Sequence, residues 1–289
     1  RRVAVIGPNG DSSEALMGCY SFANHVLAHH PGVPMGFEIP TLAASVIDAM
    51  PDAEVTVVRG CEAEGDDRSG FAEAEDAARA ADVAIVAVGD RAGLFGRGTV
   101  GEGNDADSLE LPGVQRELVE RLVATGTPVV LVILSGRPYA IDWALSGEGA
   151  VAAALQTFFP GEEGGAAIAA VLSGEVSPSG HLPVSLPRSS GSQPYSYLHP
   201  ILGGPNEITS ADSTPALPFG HGLSYTTFER TDLSVTASVP AGDAFTATVR
   251  VRNTGGRAGT DLVQLYARDL HGSITRPVAQ LLGFARVQL

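Results

Sequence analysis

Five short runs rich in Val, Ile, Leu and Ala, at residues 3–6, 54–58, 83–88, 129–134 and 151–156, lack regular alternation of apolar with polar positions. A strand with one face in water alternates; a run that does not is buried on both faces. In a globular chain this means a mainly parallel sheet covered by helices on each side. Segments with helical apolar spacing lie between the runs, at 41–50, 71–81, 114–124 and 162–172. Pro40 before Thr41, and Pro112-Gly113 before Val114, are helix-start signals. Gly126 and Gly174 are stops. The first 190 or so residues therefore predict an α/β fold.

From residue 178 to 218 Pro, Ser and Gly are dense and no helical period survives. This stretch reads as a hairpin over 180–186, then a linker that wraps a surface. After Ser224 the pattern is all β. Runs at 232–239, 244–253 and 260–269 alternate in period two, with Gly242-Asp243 and Asn253-Thr254-Gly255-Gly256 as turns, and a fourth run covers 281–289. That is the texture of an immunoglobulin-like sandwich, which needs about seven strands and roughly 100 residues. Four strands make an incomplete module with an open sheet edge. The expected plan is an α/β domain over 1–190, a linker over 191–223 and a shortened β module over 224–289. The opening, Arg1-Arg2-Val3-Ala4-Val5-Ile6, reads as the first strand of a domain, so the chain is expected to be part of a longer polypeptide.

Charge narrows the functional classes. The chain carries 33 acidic against 18 basic residues, a net charge of −15, and every basic residue is Arg. Such a surface argues against nucleic acid, whose binding needs cations to neutralise phosphates. The longest apolar run, 128–134, is far short of the ~20 residues of a membrane helix, so no membrane partner is expected. Cys19 and Cys61 are too few for a disulfide framework and fit either a reducing compartment or a secreted protein with a large core, which leaves localisation open. Oligomeric state is equally open.

The loop over residues 89–112, GDRAGLFGRGTVGEGNDADSLELP, is the segment most suggestive of chemistry. It follows a strand of a parallel sheet, where ligands gather, and is longer than most ordered loops. Glycines at 89, 93, 96, 98, 101 and 103 let backbone approach a ligand, and Glu102 sits between two of them. Spacing alone leaves two readings: a general acid/base carboxylate on a mobile loop, or a solvated surface Glu. Other candidates are weaker. His25, His29 and His30 have the i, i+4 spacing of a metal helix, but the accompanying Glu is absent and Pro31 disrupts a helix. Asn104, Asp105, Asp107 and Glu110 fail the register of a calcium loop. Gly7-Pro8-Asn9-Gly10 is not a phosphate loop, since Pro8 removes an amide. Ser135-Gly136 lacks a nucleophile elbow, and Arg137 beside it is expected to anchor the sheet end.

Five stretches in order resemble glycoside hydrolase family 3. Residues 101–115, GEGNDADSLELPGVQ, resemble its acid/base loop. Val5-Ile6-Gly7-Pro8-Asn9 resembles its opening strand, and Phe159-Pro160-Gly161-Glu162-Glu163-Gly164-Gly165 a characteristic turn. Pro178-Ser179-Gly180-His181-Leu182-Pro183 and the stretch 218–228, PFGHGLSYTTF, resemble the passage into its fibronectin type III module. The resemblance implies an α/β sandwich followed by that module, with Glu102 as general acid/base and Asp105 supporting the loop. Ala106 departs from the usual Arg. Tyr20, in Gly18-Cys19-Tyr20-Ser21-Phe22, matches an aromatic that flanks the leaving-group sugar. The family's Asp nucleophile lies on a preceding (β/α)8 barrel of the same polypeptide, so this chain would hold half of a catalytic pair and be inactive alone. The implied reaction is retaining hydrolysis of an oligosaccharide or aryl β-glycoside, with no cofactor or metal. The stretch 94–103, together with GCYSF and GVPMGFEIPTL, resembles xylosidase-like members, so release of xylose from xylo-oligosaccharide ends is the first expectation. A β-glucosidase is the alternative within the family. A non-catalytic carbohydrate-binding or scaffold fragment, with Glu102 idle, is the alternative outside it.

Overall fold

A computed structural model describes residues 1–192, 196–204, 206–210 and 212–289. Five strands, β1 (Arg2–Ile6), β2 (Glu54–Val58), β3 (Val83–Gly89), β4 (Val129–Leu134) and β5 (Ala153–Gln156), pair in parallel in the order β2-β1-β3-β4-β5. Five α-helices intervene or follow: α1 (Leu42–Ala49), α2 (Phe71–Ala80), α3 (Gln115–Ala124), the single turn α4 (Asp142–Leu145) and α5 (Gly164–Ser173). The fold class read from the sequence is the one observed.

The missing alternation has a direct cause. Ala4, Ile6, Val86, Val88, Leu131 and Ile133 point to one face and pack with Phe71, Ala74 and Ala78 of α2 and Leu118 and Leu122 of α3. Val3, Val5, Ile85, Ala87, Val132 and Leu134 point to the other and pack with Leu42, Ala43 and Val46 of α1 and Ile168 and Ala169 of α5. Successive strand residues thus enter two separate cores, and both parities must be apolar. Helix ends follow local chemistry. The Thr41 side chain caps α1 by accepting from the Ala44 amide at 3.1 Å, and α5 stops where Gly174 turns left-handed at φ 82°. Helices α1 and α5 approach closely because Gly165 has no side chain: a Cβ there would lie 2.8 Å from the Pro40 carbonyl oxygen and 2.6 Å from Ser45 Oγ.

Cys61 sits in the first core, 6% exposed, and both cysteines are free thiols. Burial, with a smaller push from the Glu62 charge, raises its thiol from the ordinary 9.0 to about 11. The folded state therefore holds a proton that the unfolded chain loses first. Stability from this group is full below about pH 9 and declines as pH rises toward about 11. Thermal melts across that range should show a decline that Cys61→Ala flattens. An unchanged slope in the variant would contradict the assignment.

The hairpin expected over 180–186 does not form. Leu186 instead makes an antiparallel bridge with Leu217, and Leu182 exchanges hydrogen bonds of 2.8 Å with Gly220 and His221. Leu182, Leu186 and Leu217 all join the first core, cover that an isolated two-stranded hairpin lacks. Of the expected linker, residues 193–195, 205 and 211 lie outside the described residues.

The β module comprises β6 (Phe228–Val235) antiparallel to β7 (Ala247–Asn253), and β8 (Thr260–Ala267) antiparallel to β9 (Gln280–Gln288). The two ladders are tied side chain to side chain. Asp261 of β8, 3% exposed, accepts from Arg230 Nε of β6 at 2.8 Å.

Candidate active site

Strand order reverses between β1 and β3, because the chain runs to β2 on one side and then crosses to the other. At such a reversal the loops leaving the two strands diverge and open a crevice at their carboxyl ends. Here these are the loop after Ile6, which carries Tyr20, and the loop after Gly89, which carries Glu102.

The second loop is rooted on a side chain that the sequence analysis did not single out. Asp90, fully buried, accepts from Thr99 Oγ1 at 2.7 Å, the Gly136 amide at 2.9 Å and the Tyr139 hydroxyl. Burial first, then the Asp90 charge, pushes the Tyr139 phenol well above its usual range, so it stays a donor. Thr99 is thereby pinned to the end of β3, and the span from 91 to 99 closes into a loop. Gln115, also fully buried, secures the same strand end. Its side chain accepts from the Gly89 amide and donates to the Gly89 carbonyl, both at 2.8 Å.

Beyond this root the loop folds back on itself. The amides of Thr99, Gly93 and Phe95 donate to the carbonyls of Arg91, Val100 and Glu102 at 2.8, 2.9 and 2.8 Å. The glycines, read from the sequence as letting the backbone approach a ligand, allow two backbone segments to touch. A Cβ on Gly101, whose φ is 129°, would lie 1.8 Å from the Gly93 carbonyl oxygen. Gly101→Ala should therefore open this arm while leaving the sheet intact. Hydrogen exchange at the Gly93 and Phe95 amides should lose protection, while the β3 amides keep theirs. Unchanged protection at residues 93 and 95 would refute the packing argument.

Asn104, 8% exposed, braces the arm from inside. Its side chain accepts from the Gly96 amide at 2.8 Å and donates to the Gly93 carbonyl at 3.0 Å. Arg137, at the end of β4, donates to the Asn104 carbonyl at 2.8 Å, an anchoring role of the kind expected of it. Asp105 is exposed and makes no hydrogen bond or ion pair among the described residues. Within this chain the internal support comes from its neighbour. Ala106 is exposed beside it.

Glu102 emerges on the arm's outer side, exposed. The Tyr20 hydroxyl donates to its Oε2, so the two loops expected to matter do meet. Tyr20 is 62% exposed yet held from behind. Asn24 donates to the Met17 carbonyl at 2.8 Å, Ser21 accepts from the Asn24 amide at 3.2 Å, and the His25 ring stands edge-on to Tyr20 with centroids 5.6 Å apart. His25 and His29 are 6.5 Å apart by ring centroid, and His29 lies 3.4 Å from an Arg97 nitrogen. Among the described residues no three His, Cys, Asp or Glu side chains converge as metal ligands would. A cleft of about 530 Å³ opens beside the arm, lined by residues that include Asn24, Leu27, His30, Arg91 and Arg97. Glu102 stands outside it, on a surface where an exposed carboxylate and an exposed aromatic ring share a hydrogen bond. Chemically, this pair can deliver or take a proton beside an apolar ring face.

Known proteins resemble this chain along its whole length. A family model described as "Glycosyl hydrolase family 3 C-terminal domain" matches residues 1–225, and a "Fibronectin type III-like domain" model matches residues 261–289. A protein of Formosa agariphila named "Beta-xylosidase" is 35% identical over 298 residues, covering 100% of this chain and 39% of that protein. The "Periplasmic beta-glucosidase" of Salmonella typhimurium is 35% identical over 319 residues, covering 99% of this chain and 39% of that protein. Among solved structures, a β-glucosidase involved in saponin metabolism from intestinal bacteria superposes with a TM-score of 0.87 at 27% identity, covering 100% of this chain and 43% of that one. The Listeria innocua β-glucosidase in complex with isofagomine gives 0.83 at 26% identity, covering 99% and 39%. The chain spans about two fifths of the length of the curated relatives it matches.

Proposed function

Because this chain belongs to glycosyl hydrolase family 3, we propose that it supplies the acid/base half of a retaining β-glycosidase whose nucleophile stands on another module of the same polypeptide, an N-terminal (β/α)8 barrel. The supporting observation is Glu102: exposed, fixed on a self-bonded arm at the sheet's reversal point, and hydrogen-bonded to Tyr20. In the first step a carboxylate of the barrel attacks the anomeric carbon and forms a glycosyl ester. The bond to the leaving oxygen breaks, and Glu102 gives that oxygen its proton. In the second step the ionised Glu102 takes a proton from water as the water attacks the same carbon, which releases the sugar and the nucleophile. Tyr20 orients the Glu102 carboxyl and lays its ring along the leaving sugar. Asp105, which faces outward, supports the arm only from that closed interface. The working unit is the α/β domain over 1–190, with 191–223 as linker and 224–289 as an accessory β module. This chain alone turns over nothing, because an acid without a nucleophile completes neither step.

The substrate is a xylo-oligosaccharide cut from its non-reducing end. The resemblance of the Glu102 loop to xylosidase-like members and the Formosa relative both support this. The Salmonella relative supports a second reading, β-glucosidase. The two sugars differ by one hydroxymethyl group, which a fitted pocket resolves by about 10–200-fold. Full-length enzyme should therefore favour an aryl β-xyloside over the matching β-glucoside in kcat/KM by at least about tenfold. The reverse preference would establish the glucosidase.

A further inference from the structure

One aromatic side chain beside Glu102 has no role in the reading above. Phe95 is 71% exposed, and its φ is 53°, in the left-handed region that residues with a Cβ seldom adopt. An exposed phenyl ring gains nothing from burial, and a strained backbone costs stability, so folding alone gives no reason for Phe at this position. Strained residues of this kind gather where a ligand is held. The surrounding bonds hold the conformation in place. The Phe95 amide donates to the Glu102 carbonyl at 2.8 Å, and the next amide, Gly96, donates to Asn104 at 2.8 Å. On the other side the chain comes close enough that a Cβ on Gly103 would lie 3.4 Å from the Phe95 ring. The ring therefore lies against the residue that follows Glu102.

We propose that Phe95 is a specificity-determining residue that stacks against the apolar C–H face of the leaving-group sugar, so that Glu102 is flanked by two aromatics fixed from different loops. Tyr20 reaches Glu102 through its carboxylate, and Phe95 through its backbone carbonyl. A pyranose offers a flat patch of C–H groups to such a ring, and stacking fixes the glycosidic oxygen near the acid. The inference rests on the acid/base reading of Glu102 and names what holds the sugar it protonates.

The test compares two substrates of the full-length enzyme. A β-linked disaccharide has a leaving sugar to stack, and a glycosyl fluoride has none. Phe95→Gly removes the ring and suits the observed φ, so it leaves the arm in its conformation. It should lower kcat/KM on the disaccharide about tenfold or more, mainly through KM, and change the fluoride by less than about twofold. Phe95→Trp should restore most of the disaccharide activity. Equal losses on both substrates, or no loss on either, would overturn the proposal; equal losses would place the ring in the contact with the neighbouring module. Glu102→Gln on the same two substrates separates this from failure of the acid/base reading. If that variant keeps full disaccharide activity the acid assignment fails, whatever Phe95 does.

Discussion

Glu102→Gln in the full-length polypeptide should lower kcat on a β-linked disaccharide by about 100- to 10,000-fold, the range expected for removing a general acid. An alkoxide leaving group needs a proton in the transition state, and glutamine has none to give. On an aryl glycoside with an activated phenol the first step needs little protonation, so the loss there falls on the second step, where no base is left to activate water. The glycosyl ester then accumulates, which shows as a burst of phenol followed by slow turnover. Azide, which attacks without giving up a proton, should restore the rate and yield a glycosyl azide. An equal fall on both substrates with no burst and no rescue would remove Glu102 from the acid/base role.

Asp90→Ala should be the most damaging change to the architecture beneath that acid. The carboxylate is fully buried and accepts from Thr99, Gly136 and Tyr139. Hydrogen bonds to a charged group contribute about 1.5–3 kcal/mol each, and abandoned buried donors carry their own desolvation cost. Urea unfolding should show a loss of about 3 kcal/mol or more, most of the stability of a marginal domain. Asp90→Asn keeps the volume and an oxygen for the Thr99 and Tyr139 hydroxyls, but turns its amide donor toward the Gly136 N–H, so it should recover only part of the loss. In the full-length enzyme kcat should fall as well, because Thr99 no longer pins the arm and displacement of about 1 Å costs on the order of 100-fold. A loss below about 0.5 kcal/mol, typical of a plain surface change, would show that Asp90 does not root the loop.

Much of the fold was legible in the sequence, and what was missed has a common cause. The three central strands could be read because both parities of residue enter a core, a pattern set by local sequence, while β2 and β5, at the sheet's edges, are apolar runs that stay largely exposed. Thr41 and Gly174 could be placed because caps depend on a few neighbouring residues. The 180–186 stretch went astray because its partners are residues 217–221, and no local signal chooses a distant partner over a near one. Asn104 and Asp105 are adjacent polar residues in a polar loop. Only the path of the folded arm turns one inward and the other to solvent. Asp90 was passed over as the first polar residue of a loop. Its hydroxyl partners lie 9 and 49 positions away, and their convergence is a tertiary fact. The glycines of the arm signal close backbone approach, but the sequence does not say that the partner is the arm's own backbone. Glu102 and Tyr20 are singled out by family resemblance alone, and the structure brings the two into one hydrogen bond. Phe95 was quoted only as part of a motif, because neither its exposure nor its backbone angle is written in the sequence.

The account stands on Glu102 facing a second carboxylate across a sugar. The direct measurement is a structure of the full-length polypeptide with its glycosyl ester trapped by a fluorinated substrate. The account predicts the Glu102 carboxyl about 5–5.5 Å from the esterified carboxylate, the separation of a retaining pair. A separation beyond about 9.5 Å, wider than even an inverting pair uses, would contradict it.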